Sequence, residues 1–263
     1  MRKSTVFWGI VVILAGVLLL LNSFGLLGFS AWKVFWPAFL ILLGLWFLLV
    51  PVFRKRGTIS SEHISVPIED TSEAEVILNH GAGRLVINAA PADNTLLEGD
   101  FTGEMEQKVI RNGSQAKIQL KAHGESFLPF GSSQGFTWDI GLSRFVIYRL
   151  EIYTGASESL VNLADLQVKE VTLETGASST TLTLPASAGM TRVEVKSGVA
   201  GVNLIVPQGV AGHIKVGSGL SGIKVDTSRF AQAENLYESA DYATAANRVD
   251  IFVSSGLGSV NIQ

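Results

Sequence analysis

The sequence predicts a membrane-anchored, all-β protein: an N-terminal two-helix transmembrane hairpin followed by a β-solenoid, single-stacked and parallel β-helix-like. Three observations carry this expectation. Two long uncharged stretches open the chain, and a short strand–glycine–strand phrase then recurs at a nearly constant period. The 263 residues are also 47% hydrophobic with a mean hydropathy of +0.35, which is too apolar for a soluble domain of this length.

The first uncharged stretch reads V-F-W-G-I-V-V-I-L-A-G-V-L-L-L-L from Val6, and F-G-L-L-G-F from Phe24 carries it to about residue 27. The second runs from Val34 to Phe53, and at about 1.5 Å per residue it crosses roughly 30 Å of hydrocarbon. A cleavable signal peptide is the competing reading of the first stretch, but N-S-F-G-L-L-G-F follows it where a small-x-small site is needed. Trp8, Trp32, Trp36, Trp46 and Phe53 fall toward span ends or the intervening turn, the level at which amphipathic rings settle. Arg2 and Lys3 precede the first span, Arg54, Lys55 and Arg56 follow the second, and only Lys33 lies between them. The positive-inside rule therefore puts both ends in the cytoplasm, with the lipid bilayer as the first partner. The R-K-R cluster reads as a stop-transfer anchor in preference to an anionic-lipid site, which usually carries more basic residues. No charge sits mid-span, where a pump or proton relay needs one. The domain plan is an anchor over 1–56, a linker over 57–67 and a β-domain over 68–263.

The repeat is clearest in E-I-Y-T-G-A-S-E-S-L-V-N-L from Glu151, V-T-L-E-T-G-A-S-S-T-T-L-T-L-P from Val171, V-E-V-K-S-G-V-A-G-V-N-L-I-V-P from Val193 and I-K-V-G-S-G-L-S-G-I-K-V from Ile214. Its glycines Gly155, Gly176, Gly198 and Gly219 are 21, 22 and 21 residues apart, and weaker copies centre on Gly81 and Gly256. Such a period marks stacked coils. Upstream, Glu75–Asn88 is a first strand pair, and 96–103, 106–111 and 116–122 read as strands, with Asn112-Gly113 as a tight turn. Residues 124–143, rich in Gly, Ser and Phe, read as a loop or an irregular cover. Residues 228–247 lack alternation and read as a short helix or a cap. Alternation points Val171, Leu173, Val193, Val195, Ile214, Val216, Val249 and Ile251 inward. One coil cannot bury that face alone, so coils must stack and the end coils need caps. Thr154, Thr175, Ser197, Ser218 and Ser255, with His80 in the first copy, precede the glycines. They form either a ligand-binding stripe or, the simpler reading, small caps at bends where glycine supplies backbone freedom.

Several function classes fall away. A net charge of −3 and a pI near 5.8 do not suit a nucleic-acid binder. With no cysteine there is no thiolate nucleophile or zinc–thiolate site. G-S-G-L-S-G over 217–222 has the letters of a dinucleotide fingerprint, but I-K-V-D follows it, a strand where the fingerprint needs a helix N-terminus. G-S-S-Q-G over 131–135 lacks the strand-turn-helix setting of a nucleophile elbow. His63, His80, His123 and His213 are scattered without metal-ligand spacing and read as solvated or loop residues. No catalytic, cofactor-binding or metal-binding residue is nominated, and no enzyme is expected.

The hairpin M-R-K-x-x-x-F-W-G-I-V-V-I-L-A-G-V-L-L-L-L-N…W-K-V-F-W-P-A-F-L-I-L-L-G-L-W, followed by T-G-A-S, T-G-A-S and S-G-V-A-G, resembles bacterial membrane proteins of the LiaF type. These join a LiaI/LiaF-like transmembrane region to a toastrack, or adhesin-type, β-domain. The resemblance implies a non-enzymatic accessory component of cell-envelope stress sensing in the bacterial plasma membrane, with a membrane histidine kinase as the partner it holds inactive. No residue inherits a chemical role from it. Two other readings stand beside it: a scaffold that self-associates by end-to-end stacking, and an extracytoplasmic adhesin or glycan-binding β-helix.

Overall fold

Polar and apolar residues alternate along most of the chain, and β-branched residues crowd the apolar positions, so each segment forms a strand with one face to bury. The computed structural model describes residues 36, 37, 39, 40, 44, 61–90, 92–122, 136–217 and 222–263. Both expected spans and the basic residues Arg2, Lys3, Arg54, Lys55 and Arg56 lie outside this set, apart from the five helical positions within 36–44. There Trp36 meets Phe39 edge-on at 6.1 Å. Among the described residues no helix is long and apolar enough to cross a membrane.

The described residues from Ser61 onward belong to one compact β unit. Four of its strands are long: β2 (Glu73–Ala89), β7 (Ile147–Asn162), β10 (Met190–Ile205) and β15 (Arg248–Ile262). Each changes the phase of its alternation at a central glycine, so that Gly155 and Ala156, Gly198 and Val199, and Gly256 and Leu257 are exposed in succession. Each long strand is thus a rung with two arms. Three further rungs come in two pieces: β5 (Gln115–Ala122) with β6 (Phe136–Leu142), β8 (Gln167–Thr175) with β9 (Ser179–Thr183), and β11 (Ala211–Val216) with β12 (Gly222–Val225). The inner faces of both arms feed one core, with Val171, Leu173, Val193, Val195, Ile214 and Ile251 from first arms and Leu85, Ile87, Leu182, Leu204 and Ile262 from second arms, all fully buried. Full burial of each such side chain stabilises by roughly 1.5–3 kcal/mol, a gain open to a rung only when neighbours cover it.

The rungs pair in parallel, as expected, but their order is not the order of the chain. It runs β5/β6, β2, β7, β8/β9, β10, β15, β11/β12. A simple sequential stack is therefore corrected at both ends: β2 lies between β5/β6 and β7, and β15 lies between β10 and β11/β12. Antiparallel strands cover both arms at one end and the first arm at the other, where the outer edge of β12 has no strand partner among the described residues. These are β4 (Met105–Asn112) on β5, β3 (Thr95–Thr102) and then β1 (Ser61–Pro67) on β6, and β14 (Leu236–Glu238) and then β13 (Ala231–Ala233) on β11.

The outer face of the first arms explains this order. In register across eight strands stand Lys117, Glu75, Arg149, Glu170, Arg192, Asp250, His213 and Glu238, so every carboxylate faces a basic residue on each neighbouring strand of the series. Lys117 Nζ reaches Glu75 Oε1 at 2.8 Å and His213 Nδ1 reaches Glu238 Oε2 at 2.6 Å. A stack without β2 in its place would set Lys117 beside Arg149, and one without β15 would take from Arg192 its acidic neighbour Asp250. Opposed pairs across strands stabilise and like pairs destabilise, so the ladder favours the interleaved order. Asp250→Lys should therefore lower stability by about 1 kcal/mol at low salt, with the loss shrinking as salt is added. Urea midpoints at two ionic strengths check this, and an unchanged low-salt midpoint would remove the ladder from the account.

Two local expectations change and a third is decided. Residues 136–142, assigned to an irregular cover, form β6, whose Trp138, Ile140 and Leu142 are buried; the alternation was present but hidden by the surrounding Gly, Ser and Phe. Residues 61–67 of the expected linker form β1, a polar edge strand in which Val66 is buried. Of the two readings of 228–247, the cap is the one found: turns around β13 and β14 cap β11, with no helix there.

Candidate functional site

The bends are where the rungs carry something other than hydrophobic packing, and the sequence places small residues there for a reason different from the one expected. Gly81, Gly155, Gly176, Gly198 and Gly256 stack in rung order, and none has a left-handed φ. What they allow is close approach: a Cβ on Gly155 would lie 2.4 Å from the Gly81 carbonyl oxygen, one on Gly176 2.9 Å from that of Gly155, one on Gly198 3.1 Å from that of Gly176 and one on Gly256 3.0 Å from that of Gly198. Positive φ occurs two residues further on, at Gly83 (129°) and Gly258 (143°). Gly219 and Ser218 lie outside the described residues.

Inside this glycine line runs a buried polar column of His80, Thr154, Thr175, Ser197 and Ser255. Thr154 Oγ1 donates to Thr175 Oγ1 at 3.0 Å, Ser197 Oγ donates to Ser255 Oγ at 2.8 Å, and Thr175 pairs with Ser178. Each of these hydroxyls is partnered by another hydroxyl, so the column ties rung to rung. His80 differs. It is 1% exposed, its ring lies 4.8 Å from the Trp138 ring, and neither ring nitrogen has a hydrogen-bond partner. Burial holds its imidazole down at about 4, so it is neutral at pH 7. The expectation of a solvated or loop histidine is corrected for His80; His63 pairs with Asp100 at 2.9 Å and His213 with Glu238, and His123 lies outside the described residues. The sequence did carry a signal, since His80 occupies the slot that every later copy fills with Thr or Ser.

On the outer side the glycines leave a groove of about 660 Å³, walled by Asn79, Lys121, Tyr153, Glu174, Lys196 and Ser254. Lys196 bridges Glu194 at 2.9 Å and Glu174 at 3.1 Å, and these carboxylates raise its pKa. Tyr153 donates to Glu151 at 3.0 Å, which raises the phenol in turn. The charges of Lys196 and Glu174 on this wall are thus spent on one another and on Glu194. Among the described residues no group of three or more His, Cys, Asp or Glu is placed to hold a metal ion. Of the tempting motifs, Gly222 of 217–222 opens β12, a strand where the fingerprint needs a helix, and 131–135 lies outside the described residues.

A family model described as the N-terminal domain of toast_rack, DUF2154, matches residues 55–205, more than half of the chain. The chain belongs to the toast-rack family. A second model, the LiaI-LiaF-like transmembrane region, matches residues 6–48, and it makes this toast-rack protein membrane-associated. Both families are non-catalytic in kind. No curated protein matches the chain. Among solved structures, a putative cell adhesion protein from Clostridium sporogenes ATCC 15579 is 19% identical, covering 78% of this chain and 99% of its own with a TM-score of 0.72, so the two share the toast-rack fold. A putative adhesin from Bacteroides fragilis NCTC 9343, 5% identical over 80% of this chain and 98% of its own, aligns with a TM-score of 0.33.

Proposed function

We propose that this toast-rack protein is a non-enzymatic regulator in cell-envelope stress sensing, anchored by a two-helix hairpin over about 6–27 and 34–53, with its β unit on the cytoplasmic face and a membrane histidine kinase as its partner. The observation that carries the reading is the union in one chain of a LiaI-LiaF-like transmembrane region with a toast-rack β unit. The physics supports it in two ways. A tether confines the β unit near the bilayer, so a weak contact with a membrane partner suffices for control. The ladder of alternating charge on the first arms is a long, flat surface suited to a protein partner. The antiparallel caps on β5, β6 and β11 weigh against a scaffold built by end-to-end stacking of coils.

Sidedness is tested with Val199→Cys, an exposed position in a chain that has no cysteine of its own. A membrane-impermeant thiol reagent should label it only after lysis; labelling of intact cells would favour the adhesin reading, in which the β unit faces outward. Deleting the gene should raise the unstressed output of a histidine-kinase envelope-stress pathway in the host. An unchanged basal output would sink the regulatory role.

A further inference from the structure

β15 differs from the rungs around it. β10 and β11/β12 follow one another in the chain, yet no main-chain pairing joins them, because β15 lies between and pairs with both. It matches Met190–Leu204 of β10 on one side and Ala211–Val216 and Gly222–Val225 on the other. Among the described strands, β11 and β12 reach the rest of the stack only through it. Withdrawing β15 would open two facing edges at once.

The slot so defined has a chemistry that β15 answers position by position. Ile251 lies between Val193 and Ile214, Val253 between Val195 and Val216, and the carboxylate of Asp250 is in register with Arg192 on one side and His213 on the other. These contacts depend on the sequence of β15 and not on which chain supplies it. What differs between chains is only the connection: residues 226–239 stay with their own β11, held by the fully buried Phe230, by Arg229 on the carbonyls of Val206 and Pro207, by β14 and by Ser239 on Gly212, so the crossing segment is 240–247, turns with exposed or half-buried side chains.

We propose that the slot between β10 and β11/β12 is an exchange site that takes β15 from a second copy of this chain, so that two chains associate by trading their β15 rungs. Cis and trans occupancy make the same contacts, so the balance is set by the strain in the connection and by the local concentration of chains. Confinement to a membrane raises that concentration. The exchange does not depend on which side of the membrane the strands occupy.

The test uses the full chain. Val199 and Leu257 oppose one another across β10 and β15 and are 62% and 52% exposed, so cysteines there cost no core packing. Val199→Cys and Leu257→Cys versions with different tags are co-expressed, so that exchange is open to them as they fold, and are then oxidised in the membrane. The expected result is a disulfide-linked heterodimer several-fold stronger than that from Val199→Cys with Lys108→Cys, which sits on β4 at the far end of the sheet. The proposal is overturned if the first pair gives no more heterodimer than the control while the double variant Val199→Cys/Leu257→Cys closes its bond within one chain.

Discussion

Gly258→Ala should destabilise the β unit by about 4 kcal/mol, the sum of a strained φ and an overpacked contact. Gly258 has φ 143°, and an added Cβ would lie 2.0 Å from the carbonyl oxygen of Ala200 and 2.9 Å from its carbon. Both atoms belong to the main chain of the adjacent rung, which cannot move aside without breaking its own ladder. The bend glycines give a graded control. Gly155→Ala, with its Cβ 2.4 Å from the Gly81 carbonyl oxygen, should cost about 3 kcal/mol. Gly198→Ala, at 3.1 Å, should cost about 1 kcal/mol. Gly81→Ala, at the sequence-equivalent position but with nothing within 4 Å, should change stability by no more than about 0.5 kcal/mol. Urea unfolding followed by Trp138 emission reads all four variants, because the other four tryptophans lie within 8–46. Equal costs at positions 81 and 155 would mean that glycine serves turn flexibility there and not the approach of neighbouring rungs.

Acid should weaken the fold through His80. The imidazole ordinarily titrates near 6.5, and burial against Trp138 holds it at about 4 in the folded chain. A depressed folded-state pKa means that the unfolded chain binds the proton more readily. The contribution is therefore intact above pH 6.5 and is lost as pH falls from about 6.5 to about 4. A tenfold difference in proton affinity between the folded and unfolded chains is worth about 1.4 kcal/mol, so the loss across this window is about 3 kcal/mol. No carboxylate reaches the ring to offset the charge; desolvation alone lowers its proton affinity. His80→Leu should abolish this slope and should hold or raise stability at pH 7, since it replaces two unpaired buried nitrogens with apolar surface. Urea midpoints at pH 7 and pH 4.5 for both chains decide the matter: an equal acid loss in parent and variant would show that other groups carry it.

How far the fold could be read from the residues depended on whether the information was local. Alternation placed Val171, Leu173, Val193, Val195, Ile214 and Ile251 inward, and all are buried, because which face a side chain takes is settled by its own strand. The Asn112-Gly113 turn lies between β4 and β5 for the same reason. Rung order is a different matter, since each coil presents much the same apolar column to any neighbour. The signal that distinguishes the orders sits on the outer face: a sequential stack would have taken from Arg192 its acidic neighbour Asp250, which lies far downstream in the chain. At the bend, the glycine line was visible as spacing, but its cause was not, because the carbonyl each glycine accommodates belongs to another rung. His80 was visible only as an exception to a Thr/Ser column, and its burial follows from Trp138 on β6, a strand hidden in a Gly-rich stretch.

The place of β15 also sets a timetable. A ribosome releases β10, then β11 and β12, then β13 and β14, and only afterward the strand that must lie between the first two. Through that interval the nascent chain holds a complete N-terminal stack ending in the bare edge of β10, while β11 has its cap from β14 but no stack to join, and β12 has no partner strand at all. Pairing of high sequence separation is slow, and bare edges are what chaperones and proteases detect. Maturation of this protein should thus wait on its last rung, and a messenger truncated anywhere within residues 226–247 yields a polypeptide that the cell clears and does not use.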